Sequence, residues 1–343
     1  MRTPSAGHAL LAAFLLSLGV AGCEQPITEP SPPRPGQPST FLQSRSPAAP
    51  MESSDLSPEA VARITRAVDR VNEGLASAGS PWRLNYPWLF RVGNGVDPFG
   101  ALRTGVRWPV SNVSYVLDEK DYTSDLASSV VDATLVRAYD TWNEVENTGL
   151  EAVRVPNPAP TLNLDILDGT FDASGNCLDI VDVNADNLIS YDPNTGALAW
   201  IPAADILVGG WLGADYFVNC LLDSSIIGVT WFFSFGDANR DQYADQLYVE
   251  QFYNDDYQWV TSGAALLDPR LDLETVLLHE NGHSHGLGHF GGPHPRQPLL
   301  LRPNGNIFTP EAVMNAGYFG GEKRALLPPD EAGMRALYAR VKD

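Results

Sequence analysis

The sequence predicts an α+β fold for its larger, C-terminal part. Three observations carry this: an amphipathic helical stretch at 124–146, several short apolar runs of strand length around it, and a histidine-rich segment at helical spacing further on. In 124–146, Val131, Leu135, Ala138, Trp142 and Val145 share one face. Val110–Leu117, Leu150–Val155, Thr161–Leu167, Ile226–Phe233 and Ala244–Asp255 are short apolar-rich runs and read as strands. The length of 343 residues allows one large domain or two small ones.

In chain order, residues 1–22 read as a signal peptide. Arg2 gives the positive start, and Ala9 to Val20 is an apolar stretch too short to span a bilayer comfortably. It closes on Val20-Ala-Gly-Cys23, which resembles a bacterial lipobox. That resemblance implies lipidation of Cys23, export, and a lipid anchor in the cell envelope. An ordinary secretory signal, giving a secreted protein, is the alternative. Residues 23–55 form a linker, with eight prolines between Glu24 and Pro50 and few large apolar residues. Such a composition builds no core and favours an extended, semi-rigid tether.

Residues 56–107 read as an N-terminal extension or prodomain. Ser57 caps a helix over 57–78, Pro58 fits its first position, and Val61, Ile64, Val68, Val71 and Leu75 make its apolar stripe. Trp82, Tyr86, Trp88, Leu89 and Phe90 then suggest short strands. The main domain is expected over 108–343 and ends in a helix at about 329–341 that packs Met334, Leu337 and Tyr338.

Within it, Asp182-Val-Asn-Ala-Asp186 has the alternating oxygen ligands of a calcium loop, with Asp182, Asn184 and Asp186 as candidate Ca2+ ligands. Asn187 stands where such loops carry glycine, and an Asx-rich turn without metal is the competing reading. Cys177 and Cys220 are expected to form a disulfide in an exported chain, which would stabilise by roughly 3–4 kcal/mol if unstrained. Lys plus Arg total 22 against 42 Asp plus Glu, a formal charge of −20, which makes nucleic acid a poor partner.

Five of the six histidines lie between 279 and 294. His279 and His283 are four apart and so share a helical face. Glu280 follows the first. Such a pair holds zinc through two nitrogens, with the Glu as general base. Gly286 readily takes the angles that end a helix, and the turn brings His289 back as a third ligand. Three protein ligands are the layout of a catalytic rather than a structural zinc. His285 projects to another side of the helix and is read as a non-ligand, and His294 as a loop residue.

His279-Glu280-x-x-His283-x-x-Gly286-x-x-His289 resembles the long zinc signature of the metzincin metallopeptidases. Asp272–Leu278 is similar to the start of a matrixin active-site helix. Ala312-Val-Met314-Asn315 resembles a Met-turn, and Leu327–Tyr338 a matrixin closing helix. Asn281, His285 and Phe290 depart from the usual residues at their positions. The resemblance implies a metzincin-type zincin domain: a twisted, mostly parallel sheet, a long helix, an active-site helix, a Met-turn and a C-terminal helix. Residues 168–225 would be an insertion relative to a minimal matrixin. Met314 would be an apolar floor beneath the metal, and residues 291–311 would shape the pocket past the scissile bond. The strand of residues 244–255 and its loop resemble the part that precedes the zinc helix, where one strand borders the cleft and can pair with an extended peptide. The implied function is zinc-dependent endopeptidase action on protein or peptide substrates outside the cell or in its envelope, with zinc-bound water activated by Glu280. The competing reading is a catalytically inactive surface lipoprotein that uses the same fold as a binding module.

Overall fold

The computed structural model describes residues 19–24, 58–77, 79, 83–84, 106–290 apart from 193, 195, 196, 201, 223, 225, 242 and 265–268, and 312–339 apart from 316 and 319. The expected linker, the aromatic run at 86–90, the 291–311 loop and His294 lie outside these residues. In chain order the elements are β1 (Gly19–Glu24), α1 (Pro58–Ser77), β2 (Arg83–Leu84), β3 (Val106–Arg107), β4 (Asn112–Leu117), α2 (Ser128–Asn143), β5 (Glu151–Arg154), β6 (Thr170–Phe171), β7 (Cys177–Asp179), β8 (Leu188–Asp192) and β9 (Ala197–Trp200). There follow β10 (Ile206–Leu212), a π-helical turn (Asp215–Cys220), β11 (Ile226–Phe235), β12 (Ala244–Asn254), β13 (Trp259–Val260), β14 (Leu271–Asp272), α3 (Leu273–Ser284) and α4 (Pro328–Tyr338).

The main sheet runs β1-β11-β12-β10-β4-β5, with β2 also on β11 and β3 on β12. The pairs β12/β10, β10/β4, β4/β5 and β12/β3 are parallel, and the pairs made by β11 are antiparallel. The fold is therefore mixed, with a mostly parallel sheet and few helices, compatible with the α+β class. Alternation along the strands divides the core. Val208, Val249 and Tyr253 join one cluster with α2, α3 and α4. Leu207, Tyr248 and Phe252 join the other, with Ile64, Val68, Val71 and Leu75 of α1 and the residues around the disulfide. Neighbouring residues on a strand point to opposite faces, so the two clusters lie on opposite sides of the sheet. Among the described residues no helix is long and apolar enough to cross a membrane.

The expected strand at Thr161–Leu167 does not form. The segment runs as an irregular loop, because carboxylates take the place of a neighbouring strand. Glu250 accepts from the backbone N–H groups of Ile166 and Leu167 at 3.1 and 2.9 Å, and Asp186 from that of Asn163 at 2.7 Å. The span 168–225, expected as an insertion, contains β10, a middle strand of the main sheet. Its Ile206–Trp211 run is buried throughout, as strands covered on both faces are. The small hairpins β6/β7 and β8/β9 precede it. Cys177 and Cys220 are bonded, S–S 1.95 Å, tying β7 to the π-helical turn. The strand of residues 244–255 is interior, between β11 and β10, so β11 and not β12 lies toward the edge.

Candidate metal centre

α3 is buried along its whole length, so it is held by contacts all round rather than by one apolar stripe. Asp272 caps it, its Oδ2 accepting from Thr275 N at 3.0 Å. The Arg324 guanidinium donates to the same carboxylate. At the other end Gly286 has φ +85°, and a Cβ there would meet Val106 O at 2.6 Å. Only glycine makes this turn at this distance, and the turn returns the chain to His289.

The three imidazoles converge. His279 Nε2 lies 3.0 Å from His283 Nε2, which lies 3.1 Å from His289 Nε2. Two of the rings are oriented from behind. His279 Nδ1 is 2.6 Å from Val313 O, and His283 Nδ1 is 2.7 Å from Leu287 O. A carbonyl oxygen only accepts, so each Nδ1 carries the hydrogen and each Nε2 presents its lone pair to the centre. Burial pushes His279 down to about 4. Burial, then the neighbouring imidazoles His279 and His289, hold His283 well below the ordinary histidine range. Neutral imidazoles are the metal-binding form. Zinc–nitrogen bonds of 2.0–2.1 Å in a tetrahedron separate the nitrogens by about 3.3 Å, close to the spacing found here. His279, His283 and His289 could thus hold a metal ion, and among the described residues no other group of His, Cys, Asp and Glu has this arrangement.

Glu280 is fully buried beside β11. Its Oε2 accepts from Thr230 Oγ1 at 2.6 Å. Gly228, on the same strand, leaves room for it, since a Cβ there would lie 2.8 Å from Oε1. Met314 packs beneath α3 against Gly282, and its backbone N–H donates to Asp330 of α4 at 3.0 Å. Val313 N–H donates to the same carboxylate at 2.9 Å. A small recess lined by Ile227, Val276, Val313, Tyr318 and Lys323 opens beside His279.

Asn281 and His285 lie away from the triad, in the core. The His285 ring meets Tyr139 and Trp142 edge-on, at 5.9 and 6.0 Å between centroids. Asp182, Asn184 and Asp186 are engaged in hydrogen bonds among themselves and with Asn163. Asp182 Oδ1 accepts from Asn184 N at 2.8 Å and Asn184 Nδ2 at 3.1 Å, which is an Asx turn. Asp186 Oδ2 holds Asn163 N. Cys23 belongs to β1, where its backbone pairs with Gly228. Thr230, Val313, Leu287 and Asp330 were given no individual role from the sequence. Two of them act through backbone carbonyls, which any residue supplies.

In comparisons with known proteins, no family model matches the chain and no curated protein sequence matches it.

Proposed function

We propose that the chain is a zinc-dependent endopeptidase of the metzincin type. The observation that carries this reading is the convergence of three Nε2 atoms on one point, with the His279 and His283 rings oriented by backbone carbonyls and Glu280 next to His279 on the same buried helix. The mostly parallel sheet, the long α2, Met314 beneath α3 and the closing α4 support the same family. His279, His283 and His289 would hold the zinc. Bound there, zinc polarises a peptide carbonyl and makes water a better nucleophile. Thr230 keeps the Glu280 carboxylate in place by donating to one oxygen. Glu280 takes a proton from the attacking water and passes it to the leaving amine. The chain would be exported and anchored by lipid on Cys23, with the proline-rich stretch as its spacer.

The test is Glu280→Gln in purified protein, with zinc content and hydrolysis of a peptide library read together. The variant should keep its zinc while hydrolysis falls on the order of 10²–10⁴-fold, the loss that follows removal of a general base. Undiminished hydrolysis in the variant would remove Glu280 from the role of base, and none in the wild type on any peptide would mean that the fold serves as a binding module instead.

A further inference from the structure

On the face of the sheet away from the metal centre, α1 carries a row of arginines. Arg63, Arg66 and Arg70 are three and four residues apart, the spacing of neighbours on a helix surface. They are the only basic residues of α1. Together they line a cavity of about 340 Å³, closed on its other side by the β7 segment 177–180 and Cys220. That volume falls at the lower end of the range for small-molecule sites, roughly 300–1,000 Å³. Ile64, Ile180 and Cys220, which also line it, belong to the core cluster beneath α1 and not to the one that holds α3.

The arginines are only partly engaged. Arg63 Nη2 donates to Cys177 O at 2.8 Å. Arg70 pairs through Nη2 with Asp179, while its Nε is enclosed and donates to no atom. Arg66 is exposed and makes no ion pair among the described residues. A guanidinium has five N–H donors, so these contacts leave most of them available. Among the described residues that line the cavity only Asp179 is acidic. The acids of α1, Glu59, Asp69 and Glu73, do not line it. Three guanidiniums against one carboxylate leave a local excess of positive charge, in a chain whose formal charge is −20. Like charges at this helical spacing disfavour one another, so the row is destabilising unless an anion lies along it.

An anion answers each of these features. It neutralises the row, and it brings an acceptor to the cavity where Arg70 Nε, buried without one, carries a desolvation cost. Guanidinium forks take carboxylate and phosphate oxygens in pairs. A carboxylate has two oxygens, enough for one fork. A phosphate ester has three strong acceptor oxygens, which several forks can share. We propose that the cavity of Arg63, Arg66 and Arg70 binds a phosphate group, carried by a small soluble ester or by a membrane lipid headgroup. Leu178 lines the cavity and is 61 % exposed, an apolar rim for the carbon part of either. The net charge of the chain gives no attraction at a distance, so binding rests on contact with the guanidiniums. The cavity shares no residue with the histidine triad, and the proposal stands or falls apart from the peptidase reading.

The test uses the full chain carrying Cys23→Ser, so that no acyl chain contributes. Calorimetric titration with α-glycerophosphate, beside acetate at equal ionic strength, reads the soluble ester. Co-sedimentation with vesicles of phosphatidylglycerol, beside vesicles of phosphatidylcholine alone, reads the headgroup. Saturable binding is expected in at least one arm, and the arm that responds names the source. Arg66→Gln should weaken it roughly tenfold or more, the effect of losing a hydrogen bond to a charged group. Its melting temperature should stay unchanged, because Arg66 has no ion pair among the described residues to lose. No binding in either arm, acetate bound as tightly as α-glycerophosphate, or undiminished binding in Arg66→Gln would each overturn the proposal.

Discussion

Gly282 carries no side chain because two neighbours fill the space. A Cβ there would lie 2.3 Å from Met314 Sδ and 2.8 Å from Trp142 Cζ2. Trp142 is itself fixed, its Nε1 donating to Leu278 O at 2.8 Å. Gly282→Ala should therefore destabilise the fold by about 1–3 kcal/mol, the usual result of overpacking a closed core, even though alanine favours helices more than glycine does. Chemical unfolding of the two forms measures it; an unchanged or raised midpoint would show that Met314 moves aside freely. His279, Glu280, His283, Gly286 and His289 were legible in the sequence because their spacing is itself the geometry. Gly282 stood among them as an unmarked residue, because its reason is Met314, 32 positions away.

At the scale of elements, α4 does more than close the fold. Asp330, near its start, accepts from Leu327 N at 2.9 Å and also from Val313 N and Met314 N. Val313 O in turn orients His279. Asp330→Ala would leave three backbone N–H groups without their acceptor. It should lower stability by roughly 1–3 kcal/mol and also weaken metal retention in a competition with a chromogenic chelator. A stability loss with unchanged retention would separate the cap from the metal centre. The helices were readable from periodicity: α1, α2 and α4 fall within a few residues of their expected spans. The 161–167 segment misled because its apolar residues alternate as a strand's do. What holds it instead is Glu250, more than 80 positions on, and nothing local announces a carboxylate from that distance. β10 was assigned to an insertion because it lies between two cysteines in an Asx-rich span, although its own Ile206-Leu-Val208 run is that of a central strand.

At the scale of the molecule, two buried carboxyls tie stability to pH in an uncommon direction. Asp168 and Glu250 are raised by burial to about 8, from 3.8 and 4.5. The folded chain then holds protons that the unfolded chain releases. Their contribution is fully present below about pH 4 and is lost as pH rises through about 8. The protein should accordingly lose urea resistance between pH 5 and pH 8. A midpoint that rises over this interval would show that these carboxyls are already ionised at pH 5. The pairing of β1 with β11 has a consequence of timing. A cut ahead of Cys23 would remove Gly19–Gly22, leaving only Cys23 and Glu24 of the strand that lies along β11, the strand that also flanks Glu280. On the reading of residues 1–22 as a signal peptide, the leader would take that edge before the cut, and afterwards the edge would stand open to an extended peptide. If the chain is the exported peptidase proposed above, export would then act as a safety catch, keeping it shut inside the cell that makes it. Uncut precursor should hydrolyse peptides more slowly than a chain beginning at Cys23, and equal rates would show that the leader guards nothing.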